Sequence, residues 1–403
     1  MSRTVICLID YYHAGLFFLR IAKNDSDNTY VFVTTLPSIH LKAKQIGFRS
    51  QLLTKAFVVS RAASVDDLQL RGTREAALGI LTPTQQAILC SQIIQKAGSF
   101  VGRGDTVICC WNGSTVMGVA ARHLKKKLKV KTLFFEIANI PGKLFVDPEG
   151  CNAQSRLYRD PEGSLPLEAD LFAYEEWRSS YIRVKKEGLA VPQAKLGAAV
   201  GWHHIIDYLF MRAFGFCMFS DASFEAKLKK TLNRFWRGRN AQSNLAPLNP
   251  PDGPFIFFPM QVSNDTQLLL NSDVSNIEAL KRLLAETSLP IVVKPHPAEL
   301  DRSYINKWIT ETADARIVLS EGNTFELLDK SDSVVTINST VGLEAKLLNK
   351  EIRFLGKSFY SKLSRNTLPA YVTEYLIDID FFVDIDTPIA PTSLEKIFKR
   401  AAQ

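Results

Sequence analysis

The sequence predicts an α/β protein built from two Rossmann-like domains, and three observations lead there. Short β-branched runs alternate with helical stretches along most of the chain. Those runs are apolar throughout, as expected of a parallel sheet covered on both faces by helices. A stretch dense in Pro, Asn and Gly, NLAPLNPPDGP at 244–254, divides the series and cannot continue a helix.

In the first half, 4–10, 29–35, 56–60, 106–111 and 131–136 read as strands, with a helix over 114–128 between the last two. The middle is rich in Arg, Trp and Tyr and offers helices at 167–186, 202–219 and 223–237. After the Pro-rich stretch come strands at 255–259, 290–294, 315–319, 333–337 and 351–355. Helices at 276–286, 302–313, 324–330 and 340–349 separate them, the first capped by Asp273 or Ser275. The division is therefore 1–200, a helical and Pro-rich connector over 201–250, and 251–403. No internal repeat is evident. The near-continuous apolar character of 202–219 predicts a helix buried between domains, the alternative being an interfacial helix.

Composition narrows the class. The chain has 403 residues, 46% hydrophobic and 22% charged, which excludes a disordered or collagenous protein. The net charge of +8 permits anionic partners such as nucleotides, phospholipid or polyanionic glycans. Six Cys form no CxxC pair and no metal spacing, so buried reduced thiols are expected. The N-terminus lacks a signal-peptide pattern and no apolar run reaches spanning length, so a cytoplasmic protein is expected. Neither GxGxxG nor GxxxxGK[ST] occurs, which argues against a standard dinucleotide enzyme or a P-loop NTPase.

Four segments follow predicted strands, where ligands of such sheets bind. FPMQVSNDTQ delivers Gln261 and Asp265, which as a bland turn would be an Asn-Asp cap. KPHP holds Lys294 and His296 on a stiff loop, since each residue before a Pro is kept extended. There His296 can donate to phosphate or shuttle a proton. In INSTVGLEAKLL a strand ends near Asn338, and Ser339 and Thr340 open a helix whose start suits an anion. Gly342 permits close approach, and Glu344 can hold a ribose diol; the plain alternative is an N-cap with an early acid. FFEIANIPGKLFVDPEGCNAQS brings Glu136 at a strand end, with Asp147, Gly150 and Asn152 in a Pro/Gly-rich loop.

Together and in this order the segments resemble the capsular polysaccharide biosynthesis/export proteins of the KpsS/LipB type, relatives of the KpsC modules and other bacterial β-Kdo glycosyltransferases. The resemblance rests on Glu136 with Pro141, Asp147, Gly150 and Asn152, and on Gln261 and Asp265. It continues through Lys294, His296 and Pro297, then Asn338, Ser339, Thr340, Gly342 and Glu344, and ends on Gly356, Phe359 and Tyr360. It spans about 130 to 360. Where the family often has an acidic pair followed by Gly, this chain has Phe135-Glu136-Ile137.

The resemblance implies a GT-B-like architecture, two Rossmann-like domains facing across a cleft, with the acceptor on the N-terminal side and the CMP-sugar donor on the C-terminal side. It implies transfer of β-Kdo from CMP-Kdo with retention. Two inversions need a carboxylate nucleophile, for which Asp265 is the candidate, and a second proton-handling group, for which Glu136 is. His296 completes the catalytic set. Gln261, Lys294, Asn338, Ser339, Thr340, Gly342 and Glu344 are the CMP-binding candidates, and Asp147 and Asn152 those on the acceptor side. No metal or other cofactor is expected. The implied partners are a glycolipid or phospholipid acceptor, an anionic membrane surface on the inner face of the bacterial inner membrane, and other capsule assembly proteins; nucleic acid is not among them. Basic stretches at 123–131 and 227–239 fit such a surface. An inverting CMP-sialic acid-type transferase and a non-catalytic export or scaffold protein are the alternatives.

Overall fold

The computed structural model describes residues 2–55, 67–102, 104–187, 202–218, 248–263, 265–299 and 301–402. The chain forms two compact units: Met1–Arg156, Val191–Trp236 and Leu376–Gln403 in one, Leu157–Ala190 and Arg237–Tyr375 in the other. The predicted strand at 56–60, the helix at 223–237 and the basic stretch 227–239 lie outside the described residues.

In the first unit β1 (Thr4–Ile9), β2 (Thr29–Thr34), β4 (Thr106–Trp111) and β5 (Lys131–Ile137) stand close to their predicted places. Two further strands join the sheet, β3 (Arg49–Leu52) at one edge and β6 (Lys143–Asp147) beside β5. The order is β6-β5-β4-β1-β2-β3, parallel except for β6. β6 escapes the sequence reading because KLFVD sits among Pro and Gly residues and looks like loop; register decides it, pairing Phe134 with Asp147 and Ile137 with Leu144. β1 and β4 are buried nearly throughout, as their unbroken apolar runs require.

The second unit carries β7 (Ile256–Pro259), β8 (Ile291–Lys294), β9 (Ile317–Leu319), β10 (Ser333–Thr336) and β11 (Glu351–Phe354), all parallel, in the order β11-β10-β7-β8-β9. The helix Asn276–Glu286 begins with a full capping box between Ser275 and Glu278, which settles the choice of cap. Both sheets thus place the first strand between the second and fourth, so each has a switch point there: β1/β4 in one and β7/β10 in the other. Although no repeat is evident in the sequence as a whole, Ser-Thr-Val follows the fourth strand in both, at 114–116 and 339–341.

The domain boundaries differ from the sequence expectation at two places. The last 28 residues do not stay with the C-terminal sheet. β12 (Ile377–Asp378) pairs antiparallel with β6, and the buried Arg20 guanidinium donates to the carbonyls of Thr387 (2.7 Å), Asp380 (2.7 Å) and Pro388 (3.0 Å). The helix Leu171–Lys186, placed by sequence in the first domain, belongs to the second unit. There Arg178 Nε donates to the Leu347 carbonyl (2.7 Å) and Lys186 pairs with Asp329 (2.8 Å).

The helix predicted at 202–219 is shorter, Trp202–Ala213, and is not buried as expected. Only Asp207 and Met211 are buried on it, while Trp202, Ile205, Ile206 and Leu209 are exposed. The six cysteines are free thiols; five are buried, and burial pushes those of Cys7, Cys90, Cys110 and Cys151 up, to about 12 for Cys90. Among the described residues no helix is long and apolar enough to cross a membrane.

Candidate active site

In the second unit the predicted residues gather at the carboxyl ends of β7, β8 and β10. Gln261 follows β7 and Asn338 follows β10, and the two buried amides meet across the switch point. Gln261 Nε2 donates to Asn338 Oδ1 (2.7 Å), and the Asn338 backbone N–H donates to Gln261 Oε1 (2.9 Å). Asn276 Nδ2 donates to the Gln261 carbonyl (2.8 Å), and Asn338 Nδ2 donates to the Gln267 carbonyl (2.8 Å). Buried amides in low dielectric are rigid when every donor and acceptor is used. This pair fixes the β7 loop to the β10 loop.

Asp265 caps the short helix Thr266–Asn271, accepting from the Gln267 N–H at Oδ1 (2.8 Å). The cap reading of the sequence is therefore correct, and it leaves Oδ2 without a hydrogen bond among the described residues. One oxygen anchors the side chain and the other is available for chemistry. His296, on the β8 loop, lies within electrostatic reach of Asp265 and Glu299, which favour its charged form, but desolvation outweighs them and lowers its pKa. Its Nδ1 accepts from the Ala298 N–H (3.1 Å), so the neutral ring carries its proton on Nε2 and presents a donor there.

Lys294 is not a free cation. Its Nζ donates to the Gly322 carbonyl (2.7 Å) and to Thr324 Oγ1 (2.8 Å), tying the β8 end to the β9 loop, and desolvation lowers its pKa. Glu344 accepts at Oε1 from the Tyr181 hydroxyl (3.1 Å) and from Lys185 Nζ (3.1 Å). The phenol of Tyr181 is held protonated by burial, with the Glu344 charge adding to it. Ser339 Oγ accepts from the Val341 N–H (3.2 Å), and Thr340 is exposed at the helix start without a side-chain cap. Gly342 faces inward: a Cβ there would stand 2.4 Å from the Phe354 ring, so packing rather than ligand approach requires glycine. Phe359 and Tyr360 are buried core rings with centroids 4.3 Å apart.

The remaining predicted residues belong to the first unit. Glu136, at the end of β5, accepts from Asn112 Nδ2, and Asn112 takes a left-handed backbone (φ 61°) just after β4. Asp147 is fully buried; its Oδ1 accepts from the N–H groups of Glu149 (2.8 Å), Gly150 (3.2 Å) and Arg156 (3.0 Å), so it organises the loop that carries Asn152.

Sequence reasoning missed a group at the first switch point. Asp10 follows β1 and is buried, with its pKa raised by desolvation against the opposing influence of Thr115 and Arg74. Glu75 is fully buried and is pushed up to about 8, first by burial and then by the Asp10 charge. Its Oε2 accepts from the Val116 N–H (3.2 Å) and so caps the helix Val116–Leu128, which Thr115 does not cap; its Oε1 is buried without a partner among the described residues. The available signal was positional: Asp10 ends the first strand, where Gln261 follows the first strand of the other sheet.

Comparison with known proteins adds relatives to this geometry. FixF of Sinorhizobium fredii is 36% identical over 130 residues, which is 30% of this chain and 31% of FixF. The capsule polysaccharide export protein KpsS of Escherichia coli is 26% identical over 276 residues, 64% of this chain and 68% of KpsS. Among solved structures, the β-Kdo 2,7 transferase of Thermosulfurimonas dismutans KpsC aligns over 100% of this chain and 99% of its own, with 14% identity and a TM-score of 0.46. The family model for capsule polysaccharide biosynthesis proteins matches residues 106–364, well over half of the sequence, and the chain belongs to that family.

Proposed function

We propose that this chain is a glycosyltransferase of capsule polysaccharide biosynthesis that transfers β-Kdo from CMP-Kdo to a lipid-linked acceptor with retention. One observation supports the reading: the Gln261–Asn338 lock fixes the loop that carries Asp265 at the switch point of the second sheet, and His296, on the β8 loop, lies within electrostatic reach of that carboxylate. Asp265 Oδ2 attacks the anomeric carbon of Kdo as the bond to the CMP phosphate breaks, giving a glycosyl ester and CMP. His296 Nε2–H donates to the departing phosphate, whose charge grows as it leaves. Ser339 and Thr340 contribute polar contacts to the nucleotide, while Lys294 and Glu344 brace the loops around it. The acceptor hydroxyl, losing its proton to a general base for which Glu136 is the candidate, attacks the same carbon, and Asp265 is released with a second inversion. The leaving group is a monophosphate, so the reading gives no role to a metal.

Incubation with CMP-Kdo and a fluorescent lysophosphatidylglycerol, followed by mass spectrometry, tests it. Addition of Kdo is expected. Turnover of CMP-sialic acid alone would move the assignment to the inverting reading, and turnover of neither to the scaffold reading.

A further inference from the structure

We infer that the helix Trp202–Ala213 is an anionic-membrane docking face of the first unit. Its sequence, WHHIIDYLFMRA, is amphipathic, but the apolar side that a globular protein buries is turned out. Trp202 is 82% exposed and Leu209 62%, and Ile205 and Ile206 are exposed between them. Phe214, just past the helix, is 60% exposed and its carbonyl accepts from the Lys55 N–H (2.8 Å). Apolar side chains at 202, 205, 206 and 209 lie along one side of a helix, a pattern that fits burial in the headgroup–acyl boundary.

Charge identifies the occupant. The helix carries one acid, Asp207, which is only 6% exposed: Ser38 donates to it from its N–H (2.9 Å) and from Oγ (2.6 Å). The helix therefore shows solvent no carboxylate. Exposed cations adjoin it, with Arg212 in its last turn and Lys55 hydrogen-bonded to Phe214 through the backbone. The helix Pro37–Gln45, packed beside it, adds exposed Lys44. Apolar side chains with adjoining cations, and no acid exposed on the helix itself, match an anionic bilayer. An apolar protein partner would ask for the apolar residues but not for the sequestered acid. The inference rests on the proposed function only in its lipid-linked acceptor. It assigns a membrane contact to a helix among the described residues, whereas the 227–239 stretch lies outside them.

Flotation of the full chain with phosphatidylcholine vesicles, with and without phosphatidylglycerol, is the test. CMP binding is measured in parallel, so that the docking and nucleotide readings can fail separately. Binding is expected only with phosphatidylglycerol and should weaken as salt rises from about 0.05 to 0.5 M. Leu209→Glu should lower it by about tenfold or more, and Arg212→Glu should reduce its dependence on phosphatidylglycerol, both with unchanged melting temperature. Leu209→Ser replaces the first variant if that one unfolds. Absence of wild-type binding, or full binding by the Leu209 variant, would overturn the inference. So would a wild-type dimer that Leu209→Glu converts to monomer, because the face would then belong to a second copy.

Discussion

Gln261 and Asn338 hold each other by two hydrogen bonds, 2.7 and 2.9 Å, across the two strands at which the order of the second sheet reverses. Each is tied further: the Asn276 side chain holds the main chain of Gln261, and Asn338 Nδ2 donates to the carbonyl of Gln267 behind the Asp265 cap. The lock therefore positions the loop that carries the proposed nucleophile.

Breaking the lock should cost stability and geometry together. Gln261→Ala or Asn338→Ala leaves a buried amide without its partner, at about 1–3 kcal/mol each. In urea titrations the double variant should lose less than the sum of the two singles, because the second substitution removes what the first left unpaired. Additive losses would mean that the two side chains act independently.

Glu75 gives the first unit a stability that falls with rising pH. Burial raises its folded pKa from 4.5 to about 8, so between those values the folded state holds a proton that the unfolded state has released. This contribution is full below the unfolded value and is lost as pH rises through the folded one. The slope reaches about 1.4 kcal/mol per pH unit at most. Melting temperature should fall from pH 5 to 8 in the wild type and vary less in Glu75→Gln. Identical pH profiles would remove Glu75 as the source.

Gly342 separates packing from ligand contact. An alanine Cβ would stand 2.4 Å from two carbons of the Phe354 ring, forcing a shift that costs about 1–3 kcal/mol. Gly342→Ala should lower the melting temperature while the folded fraction binds CMP as the wild type does. Unchanged stability with weakened CMP binding would return Gly342 to the nucleotide site.

The sheet strands were legible because parallel strands buried on both faces leave unbroken apolar runs, and β1, β4, β7 and β8 stand within a residue or so of their expected limits. β6 and β12 were not, because they are short antiparallel strands outside the parallel set, and β12 pairs with a partner distant in sequence: Ile377 meets Leu144. The strand-end residues of the second unit were legible as a set, but their division of labour was not. Lys294, Glu344 and Gly342 share motif positions with Asp265 and His296, yet their contacts make two of them braces and one a packing residue. Asp10 and Glu75 escaped because burial and, for Glu75, an oxygen without a partner among the described residues are properties of the fold rather than of residue type.

Asp265 as the nucleophile is the central claim, and trapping its ester tests it most directly. With CMP-Kdo and no acceptor, intact-protein mass spectrometry should show a gain of one Kdo residue, mapping to the peptide that contains Asp265 and accumulating further in Glu136→Gln. Asp265→Asn should abolish the adduct and slow turnover by about a thousandfold or more while binding CMP normally, since about 4 kcal/mol of transition-state stabilisation is at stake. His296→Ala should instead weaken CMP. An adduct on another residue, or an Asp265→Asn protein with near wild-type turnover, would contradict the account.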